Sequence, residues 1–381
     1  MKMIKHSLVL CILMAFSSLW PAGITYQFSG GRLGDNLLAY CHARWISYKY
    51  GIPFLYRPFK YSDQFELHFQ HPFFDLDDLS EFQHVENFAH LTGKHNEYPF
   101  LSDAHILYLL PYFPDCQADI EERFHFDVGW NDPGFKALLK KEIASNVPIQ
   151  LLELPKGRAA VAVHIRTGAG YDKVAQFRPV PGNTSILTCQ SSHCLLNVLE
   201  KTPVTHPLIP VKPAKKSMFA DKLHPLKFPP NSFYVEQLKR LSELLHDKPL
   251  YVHVFTDSTQ PEAFVDLLNE AVGKPNIVYA CRSEGNHQDA HVLDDFFSLT
   301  QFEYVIRGES NFTIMAGKIT DYKIVIYPAE CAWQGNTLLI TAAFTEIRQK
   351  NGEVTLLKTP VEEHDHTDVC TGIKGEYPYE L

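Results

Sequence analysis

Four short stretches in the second half of the chain join apolar runs to residues that bind charge. VHIRTG carries His164 and Arg166, FTDS carries Asp257, DDFFSLTQF carries Asp295, and GESNF carries Ser310 and Asn311. A planar guanidinium such as that of Arg166 can grip two phosphate oxygens at once. Gly168 and Gly170 follow it, so the backbone can approach a ligand closely and add N–H donors. Asp257 can accept from a ribose hydroxyl or a base, and the Ser310–Asn311 pair opens a helix, where amides and a hydroxyl favour an anion. Each residue also has a purely structural reading: a salt bridge for Arg166, a helix cap for Ser310, dipole pairing for Asp295. Together they are expected to line one crevice.

The elements that must hold these residues follow from the pattern. AVAVHI, PLYVHVFT, NIVYA, EYVIRG and YKIVIYP read as strands; SFYVEQLKRLSELLHD, QPEAFVDLLNEAV, DAHVLDDFFSLTQF and SNFTIMAGKI read as helices between them, the first capped by Ser232. Alternation of this kind implies an α/β fold with a mostly parallel sheet, whose ligands bind outside the carboxyl ends of the strands. The first half opens with the strand GITYQF, the turn SGGRLGDN and the helix LLAYCHARWISYKYG, which together look Rossmann-like, and IPFLY then reads as a second strand. NDPGFKALLKKEIASN is a further helix, with Asn131 or Asp132 as cap and Pro133 in its first turn. The turn lacks full G-x-G-x-x-G spacing, and Asp35 has the wrong charge for a pyrophosphate cradle. Gly34, Asp35 and Asn36 are instead candidates for contact with a sugar or an acceptor, or for capping the helix.

Composition narrows the class. At 381 residues there is room for two domains, and 45% hydrophobic with 21% charged residues argues for a folded chain. A net charge of −9 gives no support for nucleic-acid binding. Residues 1–23 (MKMIKHSLVLCILMAFSSLWPAG) have the basic start, apolar run and small-residue site of a signal peptide, or of a signal anchor if uncleaved. The expected location is thus the secretory pathway or the exterior, with membrane attachment if the signal is retained. Domain limits are read as 24–154, 155–345 and a C-terminal tail, 346–381. Of eight cysteines one lies in the leader, Cys189 and Cys194 could close a small loop, and no CxxC suggests zinc. Two N-x-S/T acceptor patterns begin at Asn183 and Asn311, the proline- and lysine-studded 201–231 reads as a surface loop with Lys212, Lys215 and Lys216, and EEHDHTD (362–368) as solvated tail.

In order and spacing the motifs resemble the fucosyltransferase superfamily that contains the α1,2-, α1,6- and protein O-fucosyltransferases. GGRLGDN is similar to its amino-terminal glycine turn, VHIRTG to its H-x-R motif, FYVEQLKRL with VFTDS to a helix and strand end of the α1,2 branch, and HVLDDFFSLTQFEYVIRGESNF to its carboxyl-terminal block. The resemblance implies a GT-B architecture of two facing Rossmann-like domains, with the acceptor mostly in the first and the donor in the second. It implies GDP-fucose as donor substrate, a glycan or protein hydroxyl as acceptor, inversion at the anomeric carbon, and neither metal nor cofactor. By the same carry-over Arg166 grips the β-phosphate and His164 lies near the nucleotide or fucose. Asp295 lies near the guanine-ribose end, and Ser310 and Asn311 face the diphosphate. Some glycosyltransferases hold a metal with a DxD such as Asp75-Leu76-Asp77, but here helix capping is the expected role. The sequence departs from the pattern at Asp35, where the family has asparagine, at Gly168 and Ala169, where an acid is missing, and at Asn311, which replaces a serine. Asp35 is a candidate general base. Two further readings are a transferase using another nucleotide sugar and a catalytically silent fold that binds glycan or protein.

Overall fold

The computed structural model describes residues 22–28, 31–74, 84–87, 106–110, 128–167, 187–188, 226–287, 289–334 and 337–361. The leader up to residue 21, the DxD at 75–77, the Cys189–Cys194 loop, Asn183, Gly168, Gly170, the lysines at 212, 215 and 216 and the tail at 362–368 lie outside them; the last two leader residues, Ala22 and Gly23, belong to the first strand. The chain divides into two compact units, Met1–Pro148 and Ile149–Leu381. The sequence limit at 154–155 falls later than this division. The reason is local: Gln150 N–H donates to Asp294 Oδ1 (2.8 Å) and Leu152 N–H to Ser298 Oγ (3.2 Å), which ties these residues to a helix of the second unit.

In the first unit, strand β1 (Ala22–Tyr26) leads through the glycine turn into helix α1 (Leu33–Tyr50). Gly51 ends α1 at φ 69°, where a side chain would be strained, and its N–H closes on Ser47 O at 2.9 Å. A short helix α2 (Leu67–Gln70), strands β2 (His84–Asn87) and β3 (Ile106–Leu110) and helix α3 (Pro133–Glu142) follow. Asp132 caps α3 by accepting from Phe135 N–H at 2.8 Å, with Pro133 in the first turn where its missing N–H costs nothing. The strands form a parallel sheet in the order β1-β3-β2. The expected strand IPFLY is corrected: it follows β1 through one bridge, Ile24 to Phe54, and Tyr56 bridges Phe73, without becoming a ladder.

The second unit is built on β4 (Ala159–Ile165), β5 (Leu187–Thr188), β6 (Leu250–Thr256), β7 (Ile277–Cys281), β8 (Tyr304–Arg307), β9 (Ile324–Gln334), β10 (Thr337–Arg348) and β11 (Val354–Pro360). Helices α4 (Asn231–Leu244), α5 (Glu262–Val272), α6 (Val292–Leu299) and α7 (Asn311–Ile319) precede β6, β7, β8 and β9. The strand order is β11-β10-β9-β8-β4-β6-β7, with β5 paired to β9. All pairs from β7 through β9 are parallel, and β9-β10-β11 is antiparallel, so the unit is mixed α/β with a mostly parallel sheet. The buried interior of β4 and β6, from Val161 to Val163 and from Val252 to Phe255, needs no polar face because it lies in the middle of the sheet.

Two expectations are corrected here. Pro230, not Ser232, precedes the first residue of α4. Residues 346–360, read as tail, complete β10 and form β11, with Arg348 opposite Val354; a hairpin supplies the ladder bonds that strand 354–360 could not find alone.

Candidate functional site

The sheet fixes where a site can be. From β4 the chain adds β6 and then β7 on one side, then crosses to β8 on the other. The order therefore reverses between β4 and β8, and in open α/β sheets ligands bind outside the carboxyl ends of the strands at such a point. His164 is the register partner of Arg307, and Ile165 that of Thr256. Arg166 thus leaves the sheet with Gly308–Ser310 on one flank and Asp257 on the other.

Each expected residue takes a definite place. The Arg166 guanidinium stands 5.7 Å from the centre of the Phe228 ring, within cation–π range. Asp257 is engaged by the next residue: its Oδ1 accepts from Thr167 N–H (2.8 Å) and from Thr167 Oγ1 (3.0 Å), which fixes the turn that carries Arg166. His164 is buried, and its Nδ1 meets Thr313 Oγ1 at 2.6 Å, linking β4 to α7. Tyr234 of α4 donates to the His164 carbonyl at 3.2 Å. Burial drives the Tyr234 phenol far above its ordinary range, Asp257 adds to this, and Arg166 opposes it.

Ser310 precedes the first residue of α7 with extended backbone, and no side-chain cap bond forms. Its hydroxyl is 1% exposed and has no hydrogen-bond partner. A simple capping serine satisfies an amide of the first turn, and a buried orphan costs about 1–3 kcal/mol. Glu309 is also buried, at 4% exposure, and neither carboxylate oxygen has a partner. Asn311 is the first residue of α7, part-buried at the same helix start. Gly308 makes this packing possible: a Cβ there would lie 2.8 Å from both Lys227 O and Pro229 Cδ, and Glu309 N–H donates to Leu226 O at 2.7 Å.

Asp295 lies one strand further out. Its Oδ1 accepts from Arg282 Nη2 (2.9 Å) and Nε (3.2 Å) at the end of β7. Burial raises its carboxyl above the ordinary range against the pull of Arg282. Beside it, buried Asn286 donates to the carbonyls of Thr256 (2.8 Å) and Ser258 (2.6 Å), pinning the loop after β7 to the end of β6.

In the first unit the glycine turn closes on itself. Asp35 Oδ2 accepts from Arg32 N–H at 3.0 Å, the reciprocal half of a capping box, and Asn36 Nδ2 reaches Gly31 O at 3.5 Å. The space a Cβ on Gly31 would need is filled by the Asp35 carboxylate. Gly34 is buried within the first turn of α1. In this geometry Asp35 acts as a capping residue, one carboxylate oxygen being engaged by the backbone of its own helix start. A cleft of about 400 Å³ in this unit is lined among others by Arg44, Phe54 and His71, and Glu142 already engages both its basic groups. Its chemistry is spent internally, and the strand ends of the second unit are the better site.

The structure thus gathers His164, Arg166, Asp257, Ser310 and Asn311 along neighbouring strand ends, with Asp295 one strand out. Thr167, Tyr234, Phe228, Arg282, Asn286, Glu309 and Thr313 were not foreseen. Only Glu309 carried a signal, an acid set between a glycine and a cap. Among the described residues no cluster of His, Cys, Asp or Glu could hold a metal ion, and no helix is long and apolar enough to cross a membrane. Cys281 and Cys331 are free thiols.

No protein-family model matches the sequence, and no curated protein matches it. Among solved structures, the chain is similar to NodZ alpha-1,6-fucosyltransferase soaked with GDP-fucose. The identity is 15% over 89% of this chain and 99% of that one, with a TM-score of 0.35. It is also similar to Arabidopsis thaliana FUT1 in complex with GDP, at 12% identity over 83% and 72% of the two chains and a TM-score of 0.40. Likeness at this level assigns neither chemistry nor ligand.

Proposed function

We propose that the chain is a glycosyltransferase of GT-B architecture that binds a nucleotide-diphosphate sugar at the carboxyl ends of β4 and β8. Fucosyl transfer from GDP-fucose to a glycan or protein hydroxyl, with inversion and without a metal, is the reaction that fits the motifs best. One observation carries the reading: at the point where strand order reverses, α7 is preceded by a buried serine hydroxyl that has no protein partner, beside the strand that Arg166 directly follows. An amide-lined helix start next to a guanidinium suits a diphosphate.

Transfer of the sugar leaves charge on the departing diphosphate. A guanidinium held by a fixed turn, with the first-turn amides of α7, stabilises that charge more in the transition state than in the ground state. Thr167 and Asp257 act through position, since they set the turn from which Arg166 projects. Asp35 takes no part in this chemistry.

The test is calorimetric titration with GDP, GDP-fucose, GDP-mannose and UDP-sugars, followed by turnover with the tightest donor. GDP-fucose is expected to bind, and Arg166→Ala to lower turnover about 10²–10³-fold with an unchanged melting temperature. Unchanged turnover in the variant, or binding of no nucleotide sugar, sinks the reading. The latter result would favour a silent fold.

A further inference from the structure

Glu309 adds something that the proposed reaction does not require. It directly precedes Ser310, and the two residues leave three buried polar atoms, Oε1, Oε2 and Oγ, without hydrogen-bond partners at the start of α7. Lys227 faces it from the segment before α4 and Arg307 from β8; β9 brings Tyr327 and Cys331. Arg307 lies 4.5 Å from the centre of the Tyr327 ring and donates to Gly308 O at 3.1 Å, while Tyr327 donates to Glu346 of β10 at 2.6 Å. Glu330, next to Cys331, is ion-paired with Lys358 of β11. From α7 itself come Ser310 and Asn311.

This is an anion site with an acid built into it. Two cationic side chains and a helix start attract negative charge, yet an ionised carboxylate would repel a phosphate at the same place. A protonated carboxyl reverses the effect, because it donates a hydrogen bond to a phosphate oxygen. Burial drives the Glu309 carboxyl well above the usual carboxylate range, and neither Arg307 nor Lys227 overcomes it.

We infer that Glu309 is a proton-linked gate on this site: the start of α7 accepts a diphosphate when Glu309 is protonated and loses affinity for it when Glu309 ionises. The proton stays on Glu309 and is shared with a phosphate oxygen; no covalent bond changes. The inference deepens the donor-site reading and rests on it for the ligand class.

Binding of GDP and of inorganic pyrophosphate is measured by calorimetry from about pH 5 to about 8.5, upward from the ordinary carboxylate range. The wild-type protein is compared with Glu309→Gln and with Glu309→Met, which keeps the volume and cannot ionise. Ionisation of the ligand is common to all three, so the difference between profiles is read. Wild-type affinity should fall relative to both variants by at least about fivefold as pH rises. Glu309→Gln should bind at high pH at least as tightly as the wild type does at low pH. Ligand-free melting gives an independent check. A carboxyl with a raised folded pKa stabilises fully below its unfolded pKa and loses that contribution as pH rises through the folded value. The melting advantage of Glu309→Gln should therefore grow with pH. Superimposable pH profiles in GDP binding would overturn the gate while leaving the donor site standing. Proton-linked pyrophosphate binding with no added affinity for GDP would keep the gate and overturn the nucleotide donor. No anion bound at any pH overturns both.

Discussion

Glu142 in the first unit and Glu309 in the second are both almost fully buried, at 1% and 4% exposure, and both sit where a helix meets its neighbours. Around Glu142 every valence is met. Tyr40 donates at 2.6 Å, Arg44 forks onto it at 2.9 and 3.0 Å, and His71 Nε2 lies at 3.3 Å. Burial alone would raise its carboxyl, but bonds from His71, Arg44 and Tyr40 outweigh it and hold the group below the ordinary range. No hydrogen bond reaches the Glu309 carboxylate, and the same desolvation drives the carboxyl the other way. Loss of water therefore does not decide the charge of a carboxyl; the donors within reach do. A buried acid with all its bonds made is a rivet between α1, α3 and the residues after α2. One with none keeps its donor or acceptor capacity unspent within the described residues.

The contrast breaks most easily at the rivet. Glu142→Gln leaves Arg44 without its countercharge and should cost about 3–5 kcal/mol of unfolding free energy, read from urea denaturation. The lowered Glu142 carboxyl contributes stability above its unfolded pKa that is lost as pH falls through the folded value, so the variant should also show a flatter acid limb. A loss below about 1 kcal/mol would mean that the network is dispensable.

Asp35, which accepts from a backbone N–H of its own turn, offers a third case. Asp35→Ala should cost about 1 kcal/mol as a lost cap and leave turnover with a fixed acceptor unchanged. A collapse of turnover without loss of stability would restore it as a base. Ser310→Ala should change ligand-free stability by no more than about 0.5 kcal/mol, since no bond is lost, yet weaken GDP binding about fivefold. Equal losses in both assays would make Ser310 an ordinary cap.

Much of this frame was legible residue by residue. The uninterrupted apolar runs before Arg166 and Asp257 announce buried parallel strands, Asp132-Pro133 announces α3, and Gly51 ends α1 as expected. What stayed hidden depends on partners far away in sequence. IPFLY has the composition of a strand but only bridges on either side. VTLLKTP becomes β11 because β10 offers it an edge, which no local pattern encodes. Asp295 reads as a ligand carboxylate until Arg282 is seen against it, and Asp35 reads as a base until its own helix claims it. Most of all, a missing partner leaves no trace in a sequence: Glu309 and Ser310 differ from ordinary capping residues only in what does not reach them.

The close approach at Gly308 also bears on how this chain can change. Thr167 is clamped by Asp257 where the chain leaves β4, and Leu226 is clamped by Glu309 N–H where it returns to the same sheet edge. A Cβ at position 308 would press on Lys227 O, so any side chain there would have to push that returning segment away from the edge that presents Arg166 and Ser310.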